Sequence, residues 1–123
     1  MWEHPEDLKV RTKRFALRVI RMYAALPKNT VSQVLGKQVL RSGTSVGANY
    51  REASRARSKA EFIAKIGDCL KEIEETAYWL DLLVESGIVP PAKMAELLDE
   101  TNQLTAILTV IDKNAKGGRL QAE

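Results

Sequence analysis

The sequence has few of the residues that mark disulfide-bonded, metal-bound or membrane-spanning proteins. It contains one cysteine, Cys69, which excludes an internal disulfide and a cysteine-based zinc site and agrees with a reducing compartment. No apolar run approaches the roughly 18 to 20 residues that a membrane-spanning helix needs. The N-terminus, MWEHPED, is too acidic and interrupted for a signal peptide. We therefore expect a cytoplasmic protein with no membrane partner.

Proline and glycine are also scarce, with 4 and 7 residues respectively, and aromatic residues make up only 6% of the chain. This composition excludes collagen-like and low-complexity proteins. The 45% of hydrophobic residues is enough for an ordinary buried core, and 123 residues correspond to one such core. We expect a single domain over residues 1–123.

Charge is unevenly distributed along the chain. The formal net charge is +3, but residues 1–59 hold 13 of the 19 Lys and Arg and only 4 of the 16 Asp and Glu. Two interpretations are open at this point. Basic helices could pack beside acidic ones, within or between chains, or the basic half could present a surface that binds a polyanion.

Helix start and stop signals divide the chain into four helices. Pro5 opens the first, and Thr30 and Ser58, each followed three residues later by Gln or Glu, are capping-box signatures for the second and third. Pro27 ends the first helix, and Gly87 provides a left-handed cap for the third. The predicted helices cover 6–26, 31–56, 59–86 and 91–114, followed by a polar tail over 115–123.

Apolar residues recur at helical spacing in each segment, and no segment alternates with the period of a strand. Long helices joined by short loops pack as antiparallel neighbours. The sequence therefore predicts an all-α, antiparallel, up-down-up-down four-helix bundle. The core positions expected from this spacing are Leu8, Phe15, Val19, Met22 and Leu26 in helix 1; Phe62, Ile66, Leu70, Ile73, Ala77, Leu80 and Val84 in helix 3; and Met94, Leu97, Leu98, Thr101, Leu104, Leu108 and Ile111 in helix 4.

Helix 2 is unusual because Gly36, Gly43 and Gly47 lie in its interior. Each interior glycine costs roughly 0.5 to 1 kcal/mol relative to alanine. Small side chains of this kind allow another helix to come close, although a merely weak helix that frays or kinks near Gly43 is the alternative. The core positions predicted for this helix are Val31, Leu35, Val39, Ser42, Val46, Asn49, Tyr50 and Ala53, with Gln38 at the edge.

Cations form a stripe on each of the first two helices. Helix 1 carries Arg11, Arg14, Arg18 and Arg21 at spacings of three and four, and helix 2 carries Lys37, Arg41, Arg51 and Arg55 opposite its core side. Such faces can meet a phosphate backbone. Carboxylates on helix 3, of the same or a neighbouring chain, could neutralise them instead; these are Glu61, Asp68, Glu72 and Glu75.

No residues suggest catalysis. His4 is the only histidine and lies near the N-terminus, and Cys69 lies at the edge of an apolar face, where a free cysteine is usually a small buried hydrophobe. The chain has no Glu-x-x-His motif and no glycine loop of the nucleotide-binding type. We expect a protein that is not an enzyme and that has no metal and no cofactor.

One long pattern resembles a known family. Residues 38–58 (QVLRSGTSVGANYREASRARS), followed by EF at 61–62 and LKEIEETAYWL at 70–80, are similar to the bacterial four-helix-bundle proteins encoded in intervening sequences of 23S ribosomal RNA genes. The most specific positions are Arg41, Ser45, Asn49 and Glu52, together with residues 72–75. The likeness extends from Leu8 into helix 4. Tyr50 and Ala53 depart from the commoner pattern, which has an aliphatic residue and often a glycine there.

The resemblance implies a bundle that assembles into a ring, commonly a pentamer. A related branch comprises the accessory variability proteins of diversity-generating retroelements, whose basic rings bind nucleic acid and a partner reverse transcriptase. Apolar residues outside the predicted core also favour a homo-oligomer; these are Val10, Leu17, Ala24, Tyr78 and Trp79.

The leading hypothesis is a non-enzymatic, ring-forming homo-oligomer that contacts RNA or DNA through phosphates, with a reverse transcriptase as a further partner. The alternative is a protein-only scaffold whose charges serve self-assembly. The residues predicted to contact nucleic acid are Arg14, Arg18, Arg21, Arg41, Arg51 and Arg55.

Overall fold

The structure, a computed structural model, describes the backbone of residues 5–122 and the side chains of residues 8–117. It contains four helices: α1 (Pro5–Ala24), α2 (Thr30–Ser54), α3 (Lys59–Glu85) and α4 (Pro91–Ala122). No strand occurs within residues 5–122. The all-α four-helix bundle predicted from the sequence is confirmed. None of the described helices has a stretch long and apolar enough to cross a membrane.

Neighbouring helices run in opposite directions, as the order of their contacts shows. Along α2, Gly36, Gly43 and Gly47 approach Tyr23, Val19 and Thr12 of α1, so that numbers rise on one helix and fall on the other. The same order relates α2 to α3, where Ser42 lies opposite Thr76 and Glu52 opposite Lys65. The α2–α3 pair has the most extensive contact, and the α1–α4 pair has the least.

The loops follow the sequence signals with one correction. Ser58 caps α3, since its Oγ accepts a hydrogen bond from the Glu61 N–H at 3.0 Å. Gly87 adopts the left-handed conformation, with φ 81°. The capping box predicted at Thr30 is wrong, because the cap of α2 is Asn29, whose Oδ1 accepts from the Ser32 N–H at 2.9 Å. An asparagine one residue earlier can bond the same turn and takes the role.

Helix 4 continues to Ala122, whereas the sequence predicted an end at Asn114 and a polar tail over 115–123. Gly117 was interpreted as a stop signal, but glycine only weakens a helix by about 1 kcal/mol and ends one mainly where the backbone turns left-handed. Among the described glycines, only Gly87 has a positive φ. An ion pair from Lys116 to Asp112, 3.0 Å long, also supports the extra turns.

Most predicted core residues are buried. Fully buried side chains include Phe15 of α1, Ile66 of α3 and Leu104 of α4. Helix 2 differs from its prediction: Val31 is 59% exposed, and Asn49 is only half-buried. The buried face of α2 is rotated towards α1 and contains Ser32, Gly36, Val39, Ser42, Gly43, Val46, Gly47, Tyr50 and Ala53.

The glycines of α2 allow a close approach of α1, as the sequence suggested. A Cβ atom added at Gly43 would lie 2.8 Å from Val19 Cγ2, and one at Gly36 would lie 2.5 Å from Leu26 Cδ1. Real Cβ contacts are longer than this, so larger side chains would have to push the helices apart. The interpretation of α2 as a merely weak helix is not needed, since it is helical from Thr30 to Ser54.

Candidate nucleic-acid interface

A basic groove lies where the N-terminal half of α1 runs beside the C-terminal half of α2. Its volume is about 470 Å³. Arg51 of α2 faces three cations of α1 across a floor formed by Val10 and Leu17, which are 48% and 42% exposed. The groove is lined by Lys9, Val10, Lys13, Arg14, Leu17 and Arg51. We refer to these six residues as the basic groove.

The groove owes its position to the small residues of α2. Gly47 lies four positions before Arg51 and therefore about one helical turn away. A Cβ atom at Gly47 would lie 3.2 Å from Thr12 Oγ1 of α1. Thr12 itself turns inward, since its hydroxyl donates to the Leu8 carbonyl at 2.8 Å. The close contact at this level brings Arg51 alongside the cations of α1.

The described side chains do not neutralise the cations of the basic groove. Among residues 8–117, no carboxylate lines the groove, and no acidic side chain forms an ion pair with Lys9, Lys13, Arg14 or Arg51. Four like charges around one shallow groove repel each other and create a positive potential that attracts anions. Arrangements of this kind are suited to a polyanion whose charges are regularly spaced.

Arg55 follows the groove residue Arg51 by four positions, about one helical turn, at the end of α2. Its backbone forms the C-cap of the helix, and its side chain is exposed. A cation is favourable at the negative end of a helix dipole. Arg55 also acts on Glu52, whose pKa is lowered mainly by the hydrogen bond from Lys65 and to a lesser extent by the charge of Arg55. Arg55 is therefore available at the margin of the basic groove.

Arg18 and Arg21 lie on a different side of the bundle. They border grooves along the α1–α4 seam, which is lined on the α4 side by the carboxylates of Glu96, Asp99 and Glu100. About two turns before Arg18, Arg11 closes this seam by donating to both oxygens of Glu100 at 2.8 and 3.0 Å. The stripe of arginines predicted on helix 1 is thus divided between two neighbouring helices.

Arg41 is held by helix α3 of the same chain. Its guanidinium donates to Glu72 Oε1 at 3.1 Å and to Glu75 Oε1 at 2.5 Å. The hydrogen bond to Glu75 is the main reason that the pKa of Arg41 is raised; burial opposes it, and Glu72 adds to it. This arrangement agrees with the interpretation that basic helices pack beside acidic ones.

The contacts of Arg41 connect the two most specific parts of the motif. Residues 38–58 and 70–80 face each other across the α2–α3 contact, where Ser42 also meets Thr76 with 2.8 Å between their hydroxyl oxygens. Glu52 continues the line with an ion pair of 2.6 Å to Lys65. The motif residues therefore join α2 to α3.

Lys9 and Lys13 belong to the groove but were missed in the sequence. They precede Arg14 on α1 and do not fall on the arginine stripe. The row of small residues on α2 indicates that another helix packs closely on that face, but it does not show which side of α1 meets it. Spacing on one helix alone does not reveal a groove built by two.

The described residues contain no group of three or more His, Cys, Asp or Glu arranged to hold a metal ion. Cys69 is buried and its thiol donates to the Val46 carbonyl, with 3.6 Å between the atoms. Burial raises the pKa of this thiol to about 12, so the reactive thiolate is suppressed. His4, the single histidine of the sequence, lies outside the described residues.

These features define a small helical bundle with a basic groove whose cations form no ion pair with the described carboxylates. A family model for the 23S rRNA-intervening sequence protein matches residues 6–110. The chain belongs to this family. No curated protein matches the sequence.

A solved structure supports the assignment. The chain is 37% identical to a protein of unknown function from the S23 ribosomal protein family of Bacteroides thetaiotaomicron VPI-5482, with a TM-score of 0.83. The match covers 89% of this chain and 97% of that one. Neither comparison indicates a catalytic family.

Proposed function

We propose that the protein is a non-enzymatic nucleic-acid-binding protein that contacts the phosphate backbone of RNA or DNA through the basic groove, with Arg55 at its margin. The observation that carries the proposal is the convergence of Lys9, Lys13, Arg14 and Arg51 on one groove whose described lining contains no carboxylate. Phosphate contacts supply most of the affinity of binding that does not depend on sequence.

The lining favours backbone contact over the reading of bases. Arginine binds phosphate through two parallel N–H groups, and lysine acts as a mobile point charge. Proteins that hold single strands usually stack bases on aromatic rings, and the described residues lining this groove include none. A duplex backbone is therefore the expected ligand.

The proposal assigns the other predicted arginines to different tasks. Arg18 and Arg21 face the acidic side of α4 across the seam, and Arg41 is engaged by Glu72 and Glu75. These three are expected to contribute through the overall field of the protein rather than by direct contact with phosphate.

The proposal also includes assembly into a homo-oligomeric ring. Large apolar side chains remain exposed on every helix, among them Val34 at 56% and Tyr78 at 57%. Several such residues on a small chain support burial against further copies. Light scattering should give the mass of a multimer, with a pentamer expected from the family resemblance. The family resemblance also suggests a reverse transcriptase as a protein partner, and we include it in the proposal.

Charge reversal with a matched control tests the nucleic-acid proposal. The double variant Arg14→Glu with Arg51→Glu changes two groove cations. The variant Lys71→Glu with Lys113→Glu changes two exposed cations of α3 and α4 and alters the net charge by the same amount. Binding of a fluorescent duplex should weaken about 100-fold or more in the first variant and much less in the second.

Equal losses in the two variants would contradict the proposal, because binding would then follow net charge alone. Absence of binding by the unaltered protein at low salt would also contradict it. Circular dichroism of each variant establishes that the bundle is intact.

The second candidate function is a scaffold that binds only protein. The floor of the basic groove favours it, since exposed Val10 and Leu17 between cations would also fit an acidic amphipathic helix. In that case the unaltered protein would not bind a duplex, and Leu17→Asp would abolish capture of the partner.

A further inference from the structure

A second cavity lies at one end of the bundle, where the α1–α2 loop meets the α3–α4 loop. Its volume is about 370 Å³, which falls within the roughly 300 to 1,000 Å³ of small-molecule pockets. The lining is almost entirely apolar. It comprises Met22, Ala25, Leu26, Pro27, Ile88, Val89, Pro90 and Lys93.

The loops hold this cavity open through their own structure. Pro27 and Pro90 keep the two chain segments from continuing as helices. In the second loop, the N–H groups of Ile88 and Val89 both donate to the Leu83 carbonyl, at 3.1 and 3.0 Å. Their side chains remain only half-buried at the cavity wall.

Cations lie at one side of the cavity. Met22 and Lys93 also line the adjoining groove on the α1–α4 seam, which contains Arg18 and Arg21. Glu96 is the acidic residue among the described lining of that groove, and Arg18 also borders a further groove that contains Glu96, Asp99 and Glu100. No ion pair with a described carboxylate engages Arg18, Arg21 or Lys93. An apolar cavity therefore leads into a groove with a net positive charge.

We propose that this end of the bundle binds a small amphipathic anion, with a short aliphatic chain in the apolar cavity and a carboxylate towards Lys93 and Arg21. The chain gains from burial of apolar surface, and the carboxylate from the cations. The site is separate from the basic groove and does not depend on the function proposed for it.

Three probes separate the two parts of the ligand. Octanoate has both the chain and the charge, 1-octanol has only the chain, and acetate has only the charge. Methyl NMR spectra of Ile88 and Val89 report on the cavity itself. Octanoate should shift these signals with a Kd on the order of 0.1 to 1 mM, about 10-fold or more below the Kd of either other probe.

Two variants and a control locate the binding. Lys93→Glu should weaken octanoate about 10-fold and leave 1-octanol unchanged. Val89→Trp should fill the cavity and abolish the binding of octanoate and of 1-octanol. Val110→Trp adds the same ring at a position on α4 that is 47% exposed and should change neither. If Val89→Trp fails to fold, Lys93→Glu alone decides.

Octanoate that binds no more tightly than 1-octanol would overturn the proposal, because the cations would then contribute nothing. Equal binding by the Val89→Trp and Val110→Trp variants would overturn the assignment of the cavity.

Discussion

Two groups of cations on the first two helices end in opposite environments. Arg41 lies in the family-like motif and is held by Glu72 and Glu75 of α3. Arg14 and Arg51 face each other across a groove in which no carboxylate stands among the described lining residues. The difference comes from the neighbour of each helix face, since α3 is acidic and α1 is basic at the level of these contacts.

The comparison separates structural arginines from candidate binding arginines. The motif residues Arg41 and Glu52 both form ion pairs that join α2 to α3. Their pattern is therefore explained by the bundle and needs no ligand. The groove cations make no such contact with the described part of the chain, so a ligand is the simplest reason for placing them together.

The largest expected effect is on binding. Replacing Arg14 and Arg51 together by glutamine should weaken binding to a duplex by about 10- to 100-fold, because two phosphate contacts are lost. Arg41→Gln should change the Kd by less than about threefold. Fluorescence anisotropy at low salt measures both. A larger loss for Arg41→Gln would remove the distinction between the two groups.

The second effect concerns the helix contact that builds the groove. Gly43→Ala should lower the free energy of unfolding by about 1 to 2 kcal/mol, because overpacking against Val19 outweighs the gain in helix propensity. Gly67→Ala is the matched control, since a Cβ there meets nothing within 4 Å. It should raise stability by about 0.5 to 1 kcal/mol. Urea titrations with the same sign for both variants would contradict the close packing of α1 on α2.

A smaller effect is expected when the ion pairs of Arg41 are removed. Arg41→Gln should lower the free energy of unfolding by about 0.5 to 1 kcal/mol, because its side chain is 50% exposed and surface pairs contribute little. Arg14→Gln should leave stability unchanged or raise it slightly, since it relieves repulsion in the groove. Thermal unfolding measures the stability of both variants. A greater loss of stability in Arg14→Gln would contradict the view that Arg41, and not Arg14, has a structural role.

The smallest effect is the pH dependence of the stability that the Glu52–Lys65 pair contributes. The hydrogen bond from Lys65 lowers the pKa of Glu52, and the same bond raises the pKa of Lys65. The stabilisation from Glu52 is present above the ordinary glutamate pKa and is lost as pH falls through its lowered value. That from Lys65 is lost as pH rises through its raised value.

The difference in Tm between the unaltered protein and Glu52→Gln should therefore be greatest near neutral pH and disappear in acid and in strong base. Arg51→Gln, at the adjacent position, is the control and should show no such profile. A difference that persists unchanged into acid would show that the pair does not act through its charges.

Much of the fold follows from local sequence signals. Ser58 and Gly87 mark the ends of α3 because a cap and a left-handed turn depend on neighbouring residues alone. The end of α4 was misjudged because a glycine permits a turn without requiring one. Val31 was predicted to be buried because helical spacing does not show which neighbouring helix a face contacts. In the structure, the buried face of α2 is the one that contains its glycines and packs on α1.

The candidate site was only partly predictable for the same reason. Arg14, Arg41 and Arg51 were all expected to contact phosphate, with pairing at subunit boundaries as the alternative for Arg41 and Arg51. Which arginine meets a carboxylate depends on the arrangement of four helices. That arrangement places Arg14 of the α1 stripe in the groove and the other arginines of the stripe at the α1–α4 seam. It also adds Lys9 and Lys13 to the groove, although neither belongs to a predicted stripe.

The most direct test is the salt dependence of duplex binding. If the four groove cations each neutralise a phosphate, the logarithm of the binding constant should fall with the logarithm of the salt concentration by about 3.6 per protomer. Each single variant, such as Lys13→Gln or Arg51→Gln, should reduce that slope by about 0.9, while Arg41→Gln should leave it unchanged. A slope near zero, or a reduction as large for Arg41→Gln as for Arg51→Gln, would contradict a phosphate-binding groove.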